Sequence, residues 1–232
     1  MEPTVSYRLE GPVATITLDD GTVNVLSRAV LGELNAALDR ATADRAVVLL
    51  SGRPGMFSAG FDLRALRAGG AGSAAMVRAG FALSERLLSF PTPVVIACTG
   101  HAVAMGVFLL LSGDFRVGAA GPYKFTANEV AIGLTMPHAA IEILRQRLTA
   151  AHFNRAALLA EPFSPDNAVE AGFLDRVVSA ADLQDAARGA ALAIASLDPD
   201  AHLAAKLRAR RNTLSAIRAA IDADNAEFEA RA

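Results

Sequence analysis

Phe57-Ser58-Ala59-Gly60-Phe61-Asp62-Leu63 and Gly100-His101-Ala102-Val103-Ala104-Met105-Gly106 decide how this chain is read. Each is a small-residue turn that follows a β-like run, Val47 to Ser51 before the first and Val94 to Ala97 before the second. Each then gives way to an apolar stretch of helical pattern. The first-turn N–H groups of such a helix lack internal partners and carry the positive end of its dipole. Two loops of this kind aimed at one point make a preorganised hole for an oxyanion.

Outward from the two loops, strands and helices alternate. Val13-Ala14-Thr15-Ile16-Thr17-Leu18 alternates like a half-buried strand and ends at Asp19-Asp20-Gly21, which reads as a hairpin turn. Ser27 is placed to cap a helix running to about Ala43, with Val30, Leu31, Leu34, Ala37 and Leu38 on one face. Val47 to Leu50 is short and continuously apolar, as expected of a strand covered on both faces. A helix is predicted from about Ser73 to Ser89, ended by Pro91 and Pro93. Strand Val94 to Ala97, helix Gly106 to Leu111 and a strand at Phe115 to Val117 follow. From Pro137 onward the pattern is mostly helical, broken by Pro162, Pro165 and a turn at Gly172. Such alternation alone specifies an α/β domain.

The composition suits a chain with one large core: 232 residues, 53% of them hydrophobic and 20% charged. A net charge of -2 leaves no electrostatic footprint for nucleic acid or an anionic membrane. The single cysteine, Cys98, allows no internal disulfide. Met1-Glu2-Pro3-Thr4 shows no basic region followed by an apolar one, and no run of about 18 uncharged apolar residues occurs. The expected location is cytoplasmic.

Taken in order, the motifs resemble a known family. Asn24-Val25-Leu26-Ser27, Phe57-Ser58-Ala59-Gly60-x-Asp62-Leu63 and Gly100-x-Ala102-x-x-x-Gly106 stand ahead of an apolar helix and Asp114. Phe125-Thr126-Ala127-Asn128-Glu129-Val130, Ile132-Gly133-Leu134 and Ala168-x-x-Ala171-Gly172-Phe173-Leu174-Asp175 complete the set. It resembles the enoyl-CoA hydratase/isomerase (crotonase) superfamily over nearly the whole chain. The resemblance implies an α/β crotonase-like spiral of repeated ββα units with a C-terminal helical segment. It divides the chain into a catalytic core, 1–180, and a helical oligomerisation segment, 181–232. It also implies a homotrimer or hexamer. Lys206 to Ala232 carries Leu207, Leu214, Ile217, Ile221 and Phe228 at roughly helical spacing, a stripe expected to be buried against the core or a neighbouring subunit.

The chemistry that the resemblance implies is enolate formation on an acyl-CoA thioester, with coenzyme A as part of the substrate and no further cofactor. By position in the motifs, the two backbone donors fall on Phe61 and Met105, and the catalytic glutamate on Glu129. Met105 stands where the family usually has glycine. A carboxylate held in an apolar stretch has its proton affinity raised toward working pH, as a general base needs. The family's second hydratase glutamate falls on Phe108, which cannot activate water. Isomerases of the family commonly have an apolar residue there. The matched positions imply a substrate-binding set of Val25, Leu26, Arg28, Ala59, Asp62, Leu63, Ala104, Phe108, Asn128 and Gly133, with Arg64 and Arg67 also bordering the CoA. The activity expected is an enoyl-CoA isomerase; a hydratase and a silent acyl-CoA binder are the alternatives.

Other constellations carry less. There is no Gly-x-Ser-x-Gly elbow, and Ser58 has no identifiable base beside it. Cys98 ends an apolar strand and reads as an inert core thiol. His101, His138, His152 and His202 show no ligand spacing, so no metal is expected. His138 follows Pro137 close to the segment that, by the resemblance, is the family's substrate-pocket loop, and reads equally as a capping or surface residue.

Overall fold

The structure is a computed structural model that describes residues 4–230. Strands β1 (Val5–Glu10), β2 (Val13–Leu18) and β3 (Val25–Leu26) lead into helix α1 (Arg28–Ala43). Then come β4 (Val47–Ser51), β5 (Gly55–Ser58), β6 (Gly60–Phe61), α2 (Leu63–Ala68) and α3 (Gly70–Leu88). The next turn of chain is β7 (Val94–Cys98), β8 (Gly100–Val103) and α4 (Met105–Leu111), followed by β9 (Phe115–Ala119) and β10 (Phe125–Thr126). A 3-10 turn at Val130–Ile132 precedes α5 (His138–Arg145), α6 (Ala150–Leu159), α7 (Pro165–Ala171) and β11 (Arg176–Val178). Helices α8 (Leu183–Ala195), α9 (Pro199–Ala209) and α10 (Arg211–Ala230) close the chain.

The main sheet has the order β1-β2-β4-β7-β9-β11, and only the β1–β2 pair is antiparallel. Parallel neighbours need a crossover, and the three crossovers from β4, β7 and β9 each make a detour. After leaving the main sheet the chain adds a short strand to a second, all-parallel sheet of order β10-β8-β5 before turning into a helix or loop. This is the expected spiral of ββα units.

Alternation along the central strands sorts the core into two layers. Val48, Leu50, Val94 and Ile96 face α1, α3 and α4, whereas Val13, Val47, Leu49, Val95 and Ala97 face Leu183, Ala187 and Ala191 of α8. With both faces covered, every residue of β4 and β7 is buried, as their unbroken apolar character requires. The boundary drawn at 180 therefore cuts through a packed layer, because α8 is one wall of the main sheet.

The tail stripe finds its cover within the chain. Leu214, Ile217 and Ile221 of α10 are buried against α3 and α5, so this stripe is not in itself a subunit interface. Leu207, on α9, stays exposed, and residues 231 and 232 of the predicted stretch lie outside the described residues. Asp114, at the end of α4, ties this tail down. Its carboxylate lies 2.7 Å from both Lys206 Nζ and an Arg210 guanidinium nitrogen and accepts the Val94 N–H.

Two further expectations change, and one holds. Asp19-Asp20-Gly21 is not a hairpin turn, since β2 pairs back onto β1 through Gly11 and Pro12. Asp20 instead accepts the N–H groups of Thr22, Asn24 and Val25 and folds the chain into β3. The helix predicted from Ser73 begins at Gly70, preceded by the separate short α2. Ser27 does cap α1, accepting the Val30 N–H.

Candidate active site

The second sheet assembles the site. Its strands β5, β8 and β10 run parallel, with Ser58 paired to Ala102 and Thr126 to Val103, so all three leave at one end. Ala59-Gly60-Phe61, Ala104-Met105 and Asn128-Glu129 are the segments that follow. The carboxyl ends of parallel strands are where α/β folds place ligands. A third pairing, β3 with β6, sets Val25 beside Gly60 and Leu26 beside Phe61.

The first two segments touch. Gly60 has φ +88, and a Cβ on it would lie 2.9 Å from Val103 O and 3.0 Å from Met105 N. Only glycine permits both that backbone conformation and that approach. The amide following Gly60 is that of Phe61, so two backbone segments expected to supply donors stand side by side. Met105 is the first residue of α4, where an N–H has no intrahelical acceptor. The preceding Ala104 is held at φ 50 by its own N–H bonded to Thr126 O at 2.9 Å. A left-handed non-glycine residue is strained, and such strain gathers at functional sites.

The first loop departs from its expected form. Phe61 is not in a helical first turn, because α2 starts at Leu63 and Asp62 caps it by accepting the Arg64 and Ala65 N–H groups. The dipole of α2 is thus answered by its own cap, and Phe61 belongs to a strand pair. Its ring packs edge-on to Phe81 (centroids 6.3 Å apart), which in turn lies 5.8 Å from Phe108. The Met105 thioether joins this aromatic row over Gly80 of α3 and is fully buried.

Glu129 follows β10 by three residues. It is 7% exposed, and its Oε2 is buried without a hydrogen-bond partner. Loss of solvation pushes its carboxyl from the ordinary 4.5 up to about 7, against which its own backbone N–H pulls only weakly. Among the described residues the other buried carboxylate of this kind, Asp224, accepts the His138 and Ala139 N–H groups and caps α5. Glu129 is therefore a buried acid that no structural contact accounts for.

The remaining candidates divide. Val25, Ala59, Ala104 and Asn128 are half-buried at the strand ends, while Leu63 and Gly133 are exposed. Leu26 and Phe108 are fully buried in the core, so their side chains do not line an open surface, contrary to expectation. Asp62 spends its carboxylate on the α2 cap. Arg28, Arg64 and Arg67 are exposed, at the start of α1 and on α2, the two helices that follow the paired β3 and β6. Ser58 is buried and its hydroxyl is taken up by backbone, which removes it as a nucleophile. Cys98 is buried, and desolvation pushes its thiol up to about 12. His138 is a surface residue, 2.9 Å from Glu227, which pulls its titration upward. Among the described residues no group of three His, Cys, Asp or Glu comes together as a metal site. Nor is any of their helices long and apolar enough to cross a membrane.

The family model for enoyl-CoA hydratase/isomerase matches residues 8–231. The chain belongs to this family. It is 33% identical over 202 residues to a probable enoyl-CoA hydratase, echA17, of Mycobacterium avium, covering 85% of this chain and 77% of the relative. A solved enoyl-CoA hydratase of Mycobacterium marinum is 48% identical, with 97% of this chain and 100% of that chain covered and a TM-score of 0.94. The apo structure of an enoyl-CoA isomerase of Mycobacterium tuberculosis is 47% identical, with 98% and 100% covered and a TM-score of 0.95. Solved members named for either reaction thus reach nearly the same similarity, hydratase names are the more frequent among the relatives, and the crotonase fold is common to them.

Sequence reasoning missed Asn24 and Ser58, whose polar groups stitch the first loop together. Its signal was the small polar residue at the head of each motif. It also missed the strained Ala104, because alanine at positive φ has no sequence signature.

Proposed function

We propose that this family member shifts the double bond of a 3-enoyl-CoA to the 2-position, with Glu129 as the one acid–base group. The observation that carries the reading is the pairing of a buried, unpartnered carboxylate with a fully buried phenyl ring, Phe108, at the position where the resemblance puts a hydratase's second glutamate. Glu129 removes a C2 proton, and the electron pair flows toward the thioester oxygen to give a dienolate. The N–H groups of Phe61 and Met105 hold that oxygen. The protonated Glu129 then delivers its proton to C4, which leaves the double bond between C2 and C3 and restores the carboxylate. A carboxyl titrating at about 7 suits both directions of transfer. Hydration asks for more, since a water must be deprotonated while C2 is protonated.

Val25, Ala59, Leu63, Ala104, Asn128 and Gly133 border the acyl-CoA in this reading. Arg28, Arg64 and Arg67 offer cations to the phosphates of CoA; among the described residues none of the three has a carboxylate within ion-pair distance. Coenzyme A arrives with the substrate, and no other cofactor is assigned. We also assign a homotrimer or hexamer. With the α10 stripe covered internally, the support is the apolar surface that α6 and the neighbouring 3-10 turn expose at Leu158, Leu159, Val130 and Ile132.

The test gives the purified protein a 3-enoyl-CoA and, separately, a 2-enoyl-CoA, and follows conjugated enoyl and 3-hydroxyacyl products. Isomerisation of the first without hydration of the second is expected. Rapid hydration of the second without isomerisation of the first would make this a hydratase and overturn the argument from Phe108. Binding without turnover of either would make it a silent acyl-CoA binder.

A further inference from the structure

We infer that Ser58 is a positioning residue for the Phe61 donor, acting in a hydrogen-bond relay that starts at the half-buried Asp20 and runs inward through Asn24. The inference rests on the reading of Phe61 as one of two backbone donors.

The relay is continuous in hydrogen bonds. Asp20 accepts the Asn24 N–H at 2.9 Å and the Val25 N–H at 2.8 Å. Burial alone would raise its pKa, but these contacts and those from Thr22 outweigh burial and hold the carboxyl below its usual range. Asn24 is fully buried at φ 55, a left-handed conformation that asparagine tolerates better than most residues. Its side-chain NH2 donates to the carbonyls of Leu18 (2.8 Å), Met56 (3.2 Å) and Phe57 (3.1 Å), and its oxygen accepts the Asp20 N–H at 3.0 Å. That one amide locks the end of β2 to the end of β5. The Asn24 carbonyl then accepts the Ser58 hydroxyl at 2.8 Å, and the same hydroxyl accepts the Gly60 N–H at 3.1 Å.

Consider the three successive amides beyond β5. The Ala59 N–H is spent on Val23 O at 3.0 Å, and the Gly60 N–H on Ser58 Oγ. The next is Phe61. With the Gly60 nitrogen held by Ser58 and its Cα pressed against Val103 O and Met105 N, the peptide plane that carries the Phe61 N–H has little freedom to rotate. Ser58 is wholly buried and both roles of its hydroxyl are used, so this serine, which lies beside no base, serves the geometry of the donor.

The test compares wild type with Ser58→Ala, which removes both bonds, and Ser58→Cys, which keeps the branching with a slightly larger atom that is a weak donor and acceptor. Two readouts are taken: kcat and KM on a 3-enoyl-CoA, and the absorption of a bound 3-aryl-2-enoyl-CoA at saturation. The absorption band of that probe moves to the red when hydrogen-bond donors polarise its thioester carbonyl. The expected result is a red shift in wild type that shrinks in Ser58→Ala, with kcat falling about 10- to 100-fold and KM changing less than about twofold, and with Ser58→Cys in between. A Ser58→Ala protein with the full wild-type shift and unaltered kcat would overturn the role of Ser58 while leaving the donor pair standing. A bound probe with no shift in wild type would instead remove the donor pair, and this inference with it. If Ser58→Ala does not fold, Ser58→Cys decides by the same two readouts.

Discussion

Glu129→Gln separates two things that the buried carboxyl does, since glutamine copies the shape and neutrality of the protonated acid. In wild type the folded chain holds the proton up to about 7, whereas the ordinary value is 4.5. Between those limits the native state binds more protons than the unfolded one, so unfolding releases a proton and stability falls as pH rises. Above about 7 both states are ionised and the loss is complete. At about 1.4 kcal/mol per pH unit, the native state carries a penalty of about 3 kcal/mol at pH 8. The glutamine variant has no such ionisation. Its advantage over wild type is therefore expected to be near zero at pH 4.5 and to grow to about 3 kcal/mol at pH 8, or roughly 6 to 12 °C in Tm for a chain of this size. Paired denaturant and thermal melts at pH 4.5, 6 and 8 read the difference directly, because every other titrating group cancels. On the functional side, wild-type kcat/KM is expected to rise through about pH 7, and the variant to lose at least ~10²-fold in turnover with acyl-CoA affinity retained. Melts that stay parallel across the whole range would refute the reasoning, since they would mean that Glu129 is solvated or paired. Retained turnover would move the base to another residue.

Two further outcomes follow from close contacts. Asp114→Asn leaves the Lys206 ammonium, whose side chain is 3% exposed, without its counter-charge, and loosens Arg210 as well; the expected loss is about 3 kcal/mol in urea unfolding, and an unchanged midpoint would show that the tail is held by its apolar face alone. Gly60→Ala drives a methyl toward Val103 O and Met105 N in a backbone region that strains alanine; the expected result is a loss of about 1–3 kcal/mol in stability, read as a lower Tm, together with a kcat reduced more than KM is raised, and normal kinetics would show that the two loops do not need their present separation.

The fold was legible because its signals are local. Val47 to Leu50 and Val94 to Ala97 are continuous apolar runs, and such runs become strands with both faces covered. Ser27 before an amphipathic stretch announced α1, and the ordered motifs, through resemblance, supplied the spiral. What escaped was set at long range. The Asp19-Asp20-Gly21 segment has the composition of a hairpin turn, but β2 already has its hairpin partner in β1, so the same residues turn the chain elsewhere. Asp224 caps α5 from 85 residues away in sequence, a contact no spacing rule reaches. Helix α8 resembles any alanine-rich amphipathic helix, and only its docking on Val47, Leu49 and Val95 reveals it as part of the core. For the site, position within the resembling motifs pointed to Glu129, Phe61 and Met105, while the strand pairing of Phe61 with Leu26 depended on a partner 35 residues earlier.

The second sheet explains why so small a set of residues can be brought to one place without a dedicated domain. A parallel pair of strands starts two segments from the same level, so whatever follows each strand by the same few residues arrives together. Here three strands do this at once. Ser58 pairs with Ala102 and Val103 with Thr126, which places Phe61, Met105 and Glu129 two or three residues beyond a common line. The register is held from both sides: Ala104 N–H bonds back to Thr126 O, and Ala59 N–H bonds to Val23 O. Just beyond that line stand an amide at a helix start, the amide that follows Gly60 at φ +88, and a buried carboxyl oxygen without a partner. Each is costly to leave unsatisfied in a buried setting, by about 1–3 kcal/mol for a neutral group and more for a charged one. In the proposed reaction that cost finds its use: a bound thioester oxygen would satisfy the two amides, and the carboxyl would take up and return the proton.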